Sequence, residues 1–214
     1  MKLFTTLSAV ILPFLLNPVD ASPAMRGDEI PGYKTVELSW EVATTPGGPT
    51  MILNGTVQQV RAQLLQLNPN YDNDFAELTA ASKAAAAMRR SKGVSKDVDP
   101  SHRLCDIWGR WDSATKKRIL EGIDYLHHIN GQPHQGPGPG NCGRVSCSFD
   151  SAIIWCNDNP TTKYLDNFNL IADDALNIIT ECPEIDTEVL GVRTINGQLF
   201  HDDGWNTIVK GAKC

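Results

Sequence analysis

The stretch from Asn141 to Asn159, NCGRVSCSFDSAIIWCNDN, sets three cysteines among alternating β-forming residues. Such a stretch can supply metal ligands, a catalytic thiol with companions, or the centre of a disulfide framework. The compartment separates these readings. Met1-Lys2 opens an apolar run from Leu3 to Leu16, which is too short to cross a bilayer as a mature helix. Val19-Asp20-Ala21 places small or medium residues at the −3 and −1 positions, so a signal peptide over residues 1–21 is expected, cleaved after Ala21, with Ala24 as the second choice. No later run approaches the roughly 20 apolar residues of a membrane span, and the C-terminus carries neither a retention tetrapeptide nor an anchor tail. The chain is therefore expected to be secreted, without an integral membrane segment.

In an oxidising compartment an even number of cysteines argues for pairing, and Cys105, Cys142, Cys147, Cys156, Cys182 and Cys214 make six. Zinc is the competing reading. Four and eight residues intervene between Cys142, Cys147 and Cys156, however, and no histidine pair follows at zinc-site spacing. A nucleophilic thiol would leave an odd partner among the six. No metal and no cofactor are expected. Of the fifteen pairings that six cysteines permit, the expected one has Cys214 tying the last strand to the hairpin, Cys182 tying the second helix to it, and Cys105 anchoring the approach to the first helix.

Around this stretch the residues from 105 to 214 alternate helix and hairpin. Asp112-Ser113 can cap a helix to about Ile129 with Ile119, Ile123 and Leu126 as its buried stripe. The run from Gly131 to Gly140, GQPHQGPGPG, reads as a long loop. Arg144–Ser148 and Ala152–Asn157 then read as strands about a Phe149-Asp150 turn. A second helix is predicted from about Leu165 to Cys182, with Phe168, Ile171, Ala172, Ala175, Ile178 and Ile179 at helical spacing and Pro183 as its stop. Val189–Ile195 and Gln198–His201 flank Asn196-Gly197, a strong hairpin signal, and Trp205–Lys210 supplies a last strand. The predicted fold is α+β: a small antiparallel sheet with two helices on one face in helix, hairpin, helix, hairpin order, stapled by disulfides.

A cysteine-free α/β segment, residues 22–90, precedes this unit. Lys34–Val42 alternates like a strand, and Thr56-Val-Gln-Gln59 is a capping box that starts a helix with Val57, Val60, Leu64 and Leu67 on one face. An alanine-rich third element, about Asp74 to Arg90, has few large side chains to bury and is expected to be exposed. It ends in Arg89-Arg90 before a polar linker, residues 91–104, where a kexin-type secretory protease finds the mobile backbone it needs. Residues 22–90 are thus either a pro-segment removed after Arg90 or a small N-terminal domain. Asn54-Gly-Thr56 is the usable glycosylation sequon, because proline disqualifies Asn159-Pro-Thr161.

Charge and motif content narrow the chemistry. The formal net charge is −6, and residues 91–214 hold 12 Lys and Arg against 17 Asp and Glu, which argues against nucleic-acid binding. Lys116-Lys-Arg118 reads as a solvated face. A ribonuclease-type hydrolase would need two of His128, His134 and His201, or one with an acid such as Glu121 or Asp124, to converge as acid and base. His102 and His127 complete the histidines; adjacent His127 and His128 on a helix diverge by about 100° and form no joint metal site. No nucleophile-elbow, zincin or P-loop pattern occurs, and Asp202-Asp203-Gly204 reads as a turn rather than a calcium loop. An exposed tryptophan pair among Trp108, Trp111, Trp155 and Trp205 would instead suggest a cell-wall glycan binder.

Cys142-Gly-Arg-Val-Ser-Cys147, Ser151-Ala-Ile-Ile-Trp-Cys-Asn-Asp-Asn159, Gly204-Trp-Asn206 and Cys214 give about half the chain a resemblance to the secreted cysteine-rich proteins of filamentous fungi. The order of elements is also similar to that of small α/β-sandwich killer toxins and necrosis-inducing effectors. The resemblance implies action on another organism, commonly a plant host or a competing microbe, and attaches no role to any single residue; the lack of a catalytic motif, the acidic charge and the compact crosslinked half make a non-enzymatic effector or toxin that binds a partner there the expected reading.

Overall fold

The computed structural model describes residues 30–91, 102–106, 111–187 and 192–214. The expected signal peptide with Ala21, residues 92–101 of the expected linker, and Trp108 lie outside them. Strands β1 (Lys34–Val36), β2 (Ser39–Ala43) and β3 (Thr50–Asn54) precede helices α1 (Val57–Leu67), α2 (Tyr71–Asp74) and α3 (Ala76–Ser91). Next come β4 (Arg103–Cys105), β5 (Ala114–Thr115), α4 (Lys116–His127), β6 (Gly131–Gln135), β7 (Asn141–Ser148), β8 (Ser151–Asn157), β9 (Lys163–Tyr164) and α5 (Asn169–Glu181). Strands β10 (Ile185–Thr187), β11 (Val192–Ile195), β12 (Gly197–His201) and β13 (Trp205–Gly211) follow.

The α+β class holds, but the sheet is larger than the small antiparallel one predicted. The central sheet has six strands in the order β1-β7-β8-β13-β12-β4. Strand β1 is parallel to β7, and the other pairs are antiparallel. A four-stranded sheet, β3-β2-β6-β9, and a three-stranded one, β10-β11-β5, flank it. Both β8 and β13 are buried along their whole length, as the unbroken Ala152-Ile-Ile-Trp-Cys156 run requires of a strand covered on both faces. On one face Ile153, Trp155, Leu199 and Val209 share a core with Ile123 of α4 and Ile171 and Ile178 of α5. On the other, Ile154 and Ile208 pack with Ile30, Tyr33 and Trp111. Helices α4 and α5 run antiparallel, joined at one end by Lys116 and Glu184 and at the other by His127 and Asn169.

The boundaries expected at residues 90 and 105 match no break in the core. The single strand predicted over 34–42 divides at Glu37-Leu38, so that β1 enters the central sheet and β2 pairs with both β3 and β6. Trp40 on β2 is fully buried, stacks on Phe168 at 4.4 Å, and donates its indole N–H to the Gly55 carbonyl. Helix α1 packs on α4 and β7. Its Gln58 donates to Ser146 Oγ and accepts from the Cys147 amide where the β7 ladder slips register, so a helix side chain satisfies groups that the irregular ladder leaves open. The expected linker ends inside β4, Arg103–Cys105, an edge strand on β12.

Several element expectations are corrected. The predicted loop over 131–140 begins as β6, with Pro133 opposite Trp40. Proline fits there because β2 engages residues 131–133 while β9 engages 134–135, and the Pro133 carbonyl still accepts from Leu165. Helix α4 starts at Lys116 rather than at Asp112-Ser113, because Ala114–Thr115 pairs with β11. Helix α5 starts at Asn169, after β9. Asn196-Gly197 makes no hairpin: β11 joins β5 and β10, whereas β12 joins β13 and β4. Gly197 serves close packing instead, since a Cβ there would lie 2.8 Å from Ile178 Cγ2 and 3.1 Å from Cys182 Sγ.

All six cysteines are paired. Cys147–Cys214 ties the end of the chain to the hairpin. Cys182, expected on the hairpin, bonds Cys105 and so fastens the end of α5 to edge strand β4. Cys142–Cys156 bridges directly opposed residues of β7 and β8. With every sulfur so engaged, none is a thiolate ligand or nucleophile.

Candidate functional site

The β7–β8 hairpin closes on Ser148 and Ser151 with Phe149 and Asp150 between them. Both central residues have positive φ, 47° and 55°, the pattern of a type I′ turn. That turn favours Asn and Gly, and a residue with a bulky side chain in the left-handed region costs roughly 1–2 kcal/mol. Phe149 nevertheless occupies it and is 72% exposed. Its ring lies 3.8 Å from the Arg118 guanidinium, which donates through Nη1 to both carboxylate oxygens of Glu121. A cation over an exposed ring returns about 0.5–1 kcal/mol, too little to explain the choice of residue by stability alone.

The tip is rigidly mounted. Cys147–Cys214 fastens its flank, and Cys142–Cys156 crosslinks the two strands toward the far end of the hairpin. Ala212 donates to the Asp150 carbonyl, and Ser151 Oγ accepts from the Thr115 amide. Two grooves adjoin. One of about 340 Å³ is lined by Asp112, Ser113, Asp150, Gly211, Ala212 and Lys213. One of about 480 Å³ runs along Arg144, Cys147 and Cys214 toward Leu38 and Gln59. The surface thus offers an exposed aromatic ring on a turn whose neighbours, Asp150 and Cys147, each line one of these grooves.

The histidines considered as acid–base groups are dispersed among different partners. His128 Nδ1 sits 2.7 Å from the Asp124 carbonyl oxygen, and its Nε2 is 3.5 Å from Lys83 Nζ, which bonds the Asp124 carboxylate. Burial alone would raise the Asp124 carboxyl, but the Lys83 bond and the charge of His128 hold it below its ordinary value. His134 faces the Tyr164 ring at 5.6 Å. His201 stacks on Trp205 at 3.7 Å and places Nε2 2.8 Å from the Asp174 carboxylate. His127 reaches Asn169, and His102 lies 3.6 Å from Asp202. Neither groove is lined by His128, His134 or His201. Lys116 and Arg118 of the basic patch pair with Glu184 and Glu121. Among the tryptophans, Trp40, Trp155 and Trp205 are buried, so none of them presents a face to a glycan. Asn54 is exposed at the end of β3, where its side chain accepts from Ser39 Oγ.

Two features escaped the sequence reading. The Asn157-Asp-Asn159 triplet is a structural clasp. Asn157 Nδ2 donates to the carbonyls of Gly136 and Thr161, Asp158 accepts from the Gly140 amide and Asn206, and Asn159 donates to the Gly204 carbonyl. Asp174 is 6% exposed and accepts from Thr207 Oγ1 while facing His201. Its signal is positional, since it falls between Ile171 and Ile178 on the buried stripe of α5.

Burial pushes the Asp174 carboxyl up, against the opposing pull of His201 and Thr207. A carboxyl raised by folding makes the native state the better proton binder. Its contribution to stability is therefore complete below the ordinary value of 3.8 and is lost as the pH climbs through the raised one. Asp174→Asn is expected to flatten this part of the profile: urea midpoints of variant and parent, measured from about pH 3.5 to 7, should diverge with pH. Parallel curves would show that Asp174 does not titrate in that range.

Comparison with family models, curated proteins and solved structures finds no match to this chain.

Proposed function

We propose that the protein is exported and acts by binding a protein of a host or competing organism, as an effector or toxin-like molecule, with Phe149 as the anchor of the contact. Three disulfides across a modest core fit an oxidising extracellular setting, and among the described residues no helix is long and apolar enough to cross a membrane. The observation that carries the binding reading is the exposed Phe149 ring, held on a left-handed backbone over Arg118. Conformational strain spent on displaying an aromatic side chain is repaid at a contact, where aromatic and arginine residues dominate binding energy. The fungal resemblance supports the same class of action.

Phe149→Gly separates display from folding, because Gly takes the left-handed turn without strain. Its expected effect on stability is within about 1 kcal/mol, whereas affinity for the target should fall about 30-fold, the loss of a hot-spot residue worth about 2 kcal/mol. The assay is displacement of fluorescently labelled protein from plant tissue or microbial cells by unlabelled competitor. Equal displacement by parent and variant would overturn the assignment of Phe149.

A further inference from the structure

We propose that Arg89-Arg90 is a nicking site rather than a release site: hydrolysis after Arg90 yields a two-chain protein in which the N-terminal segment remains as a non-covalent subunit. The inference does not depend on the binding reading, because it concerns how the chain is held together.

Access to the bond comes from the construction of α3. Among its described side chains, Thr79 and Ala86 are buried, Ser82 bonds Asn169, and Lys83 pairs with Asp124. Beyond Ala86 the helix exposes Ala87 and Met88 before it ends at Ser91. Unwinding that final turn into the extended form a protease binds leaves those attachments in place, and helix ends fray readily. Water then adds across the Arg90–Ser91 amide; Arg90 keeps the carboxylate and Ser91 the amine. The agent is a secretory endoprotease specific for paired basic residues.

Retention comes from the core. Strand β1 is hydrogen-bonded to β7, and β2 to β6, so the segment supplies strands to two sheets completed by the rest of the chain. Trp40 stacks on Phe168 on one side of the central sheet, while Ile30 packs on the other, and the segment therefore clasps that sheet from both faces. Gln58 fills the irregular point of β7. All six cysteines lie beyond Arg90 and pair with one another, so no covalent link crosses the cut.

The test digests the full-length protein, produced in a host that lacks such a protease, with a purified endoprotease of this specificity. Products are resolved by denaturing gel and by size-exclusion chromatography with and without concentrated urea. Expected are two fragments on the gel, the second beginning at Ser91, a single native peak of unchanged size, and separation only in urea. An Arg89→Ala/Arg90→Ala variant should stay one chain. A free N-terminal fragment in native buffer would overturn retention. An uncut native chain, or equal cutting of the variant, would overturn the nicking site.

Discussion

Trp40→Ala should lower the unfolding free energy by about 3–5 kcal/mol, among the largest effects of any single substitution in this chain. The side chain has no exposed surface, and its removal opens a cavity beside Phe168 and leaves the Gly55 carbonyl without its donor. Both consequences fall on the shared core, so the urea transition of the whole molecule is expected to move as one. Were residues 30–91 an appendage, the cysteine-bearing part would unfold at its old midpoint. A loss below about 1 kcal/mol, or a split transition with one arm unmoved, would contradict a common core.

The second large effect concerns which crosslink matters most. Cys105 and Cys182 are 77 residues apart in sequence, against 14 for Cys142 and Cys156. A crosslink restricts the unfolded chain more when it closes a longer loop. Replacing Cys105 and Cys182 by alanine should therefore cost about 4.5 kcal/mol, and replacing Cys142 and Cys156 about 3. The outer bridge also holds edge strand β4, itself only three residues long, against the end of α5. Urea titration of each double variant, with the other two bridges intact, gives the order. A larger loss from the short bridge would mean that native-state packing around Cys142 outweighs chain entropy.

Local grammar read well where an element is decided by its own residues. The β7–β8 hairpin, the α5 stripe and the capping box at Thr56, whose amide is held by Gln59 Oε1, were all legible. Pairings between distant strands were not. Nothing near Lys34 reveals that it lies beside Asn141, and Asn196-Gly197 looks like a turn because a glycine chosen for close packing is the same letter as one chosen for its backbone. The sequence reads as a small two-helix sheet because an N-terminal segment without cysteine looks separate, although disulfides report crosslinking and not core membership. At the candidate site, the Phe149-Asp150 turn was recognised, but the display of the ring over Arg118 depends on where α4 docks. The three histidines drew attention by residue type alone, while Asp174 was concealed by sitting in an apolar stripe.

The parallel contact of β1 with β7 also governs the order in which the molecule can be assembled. A chain is synthesised from its N-terminus, so β1 and β2 are delivered long before β7 and β6, the strands that complete them. Until then Trp40 lacks Phe168, its stacking partner, and the edge of β2 that β6 covers stands open to other chains. The β7–β8 hairpin has the opposite timing: its strands are neighbours in sequence, and Cys142–Cys156 can close as soon as both have emerged. Topology of this non-local kind slows folding. Completion of the fold therefore waits on the later hairpin, and the early strands stay exposed to misassembly until it arrives to receive them.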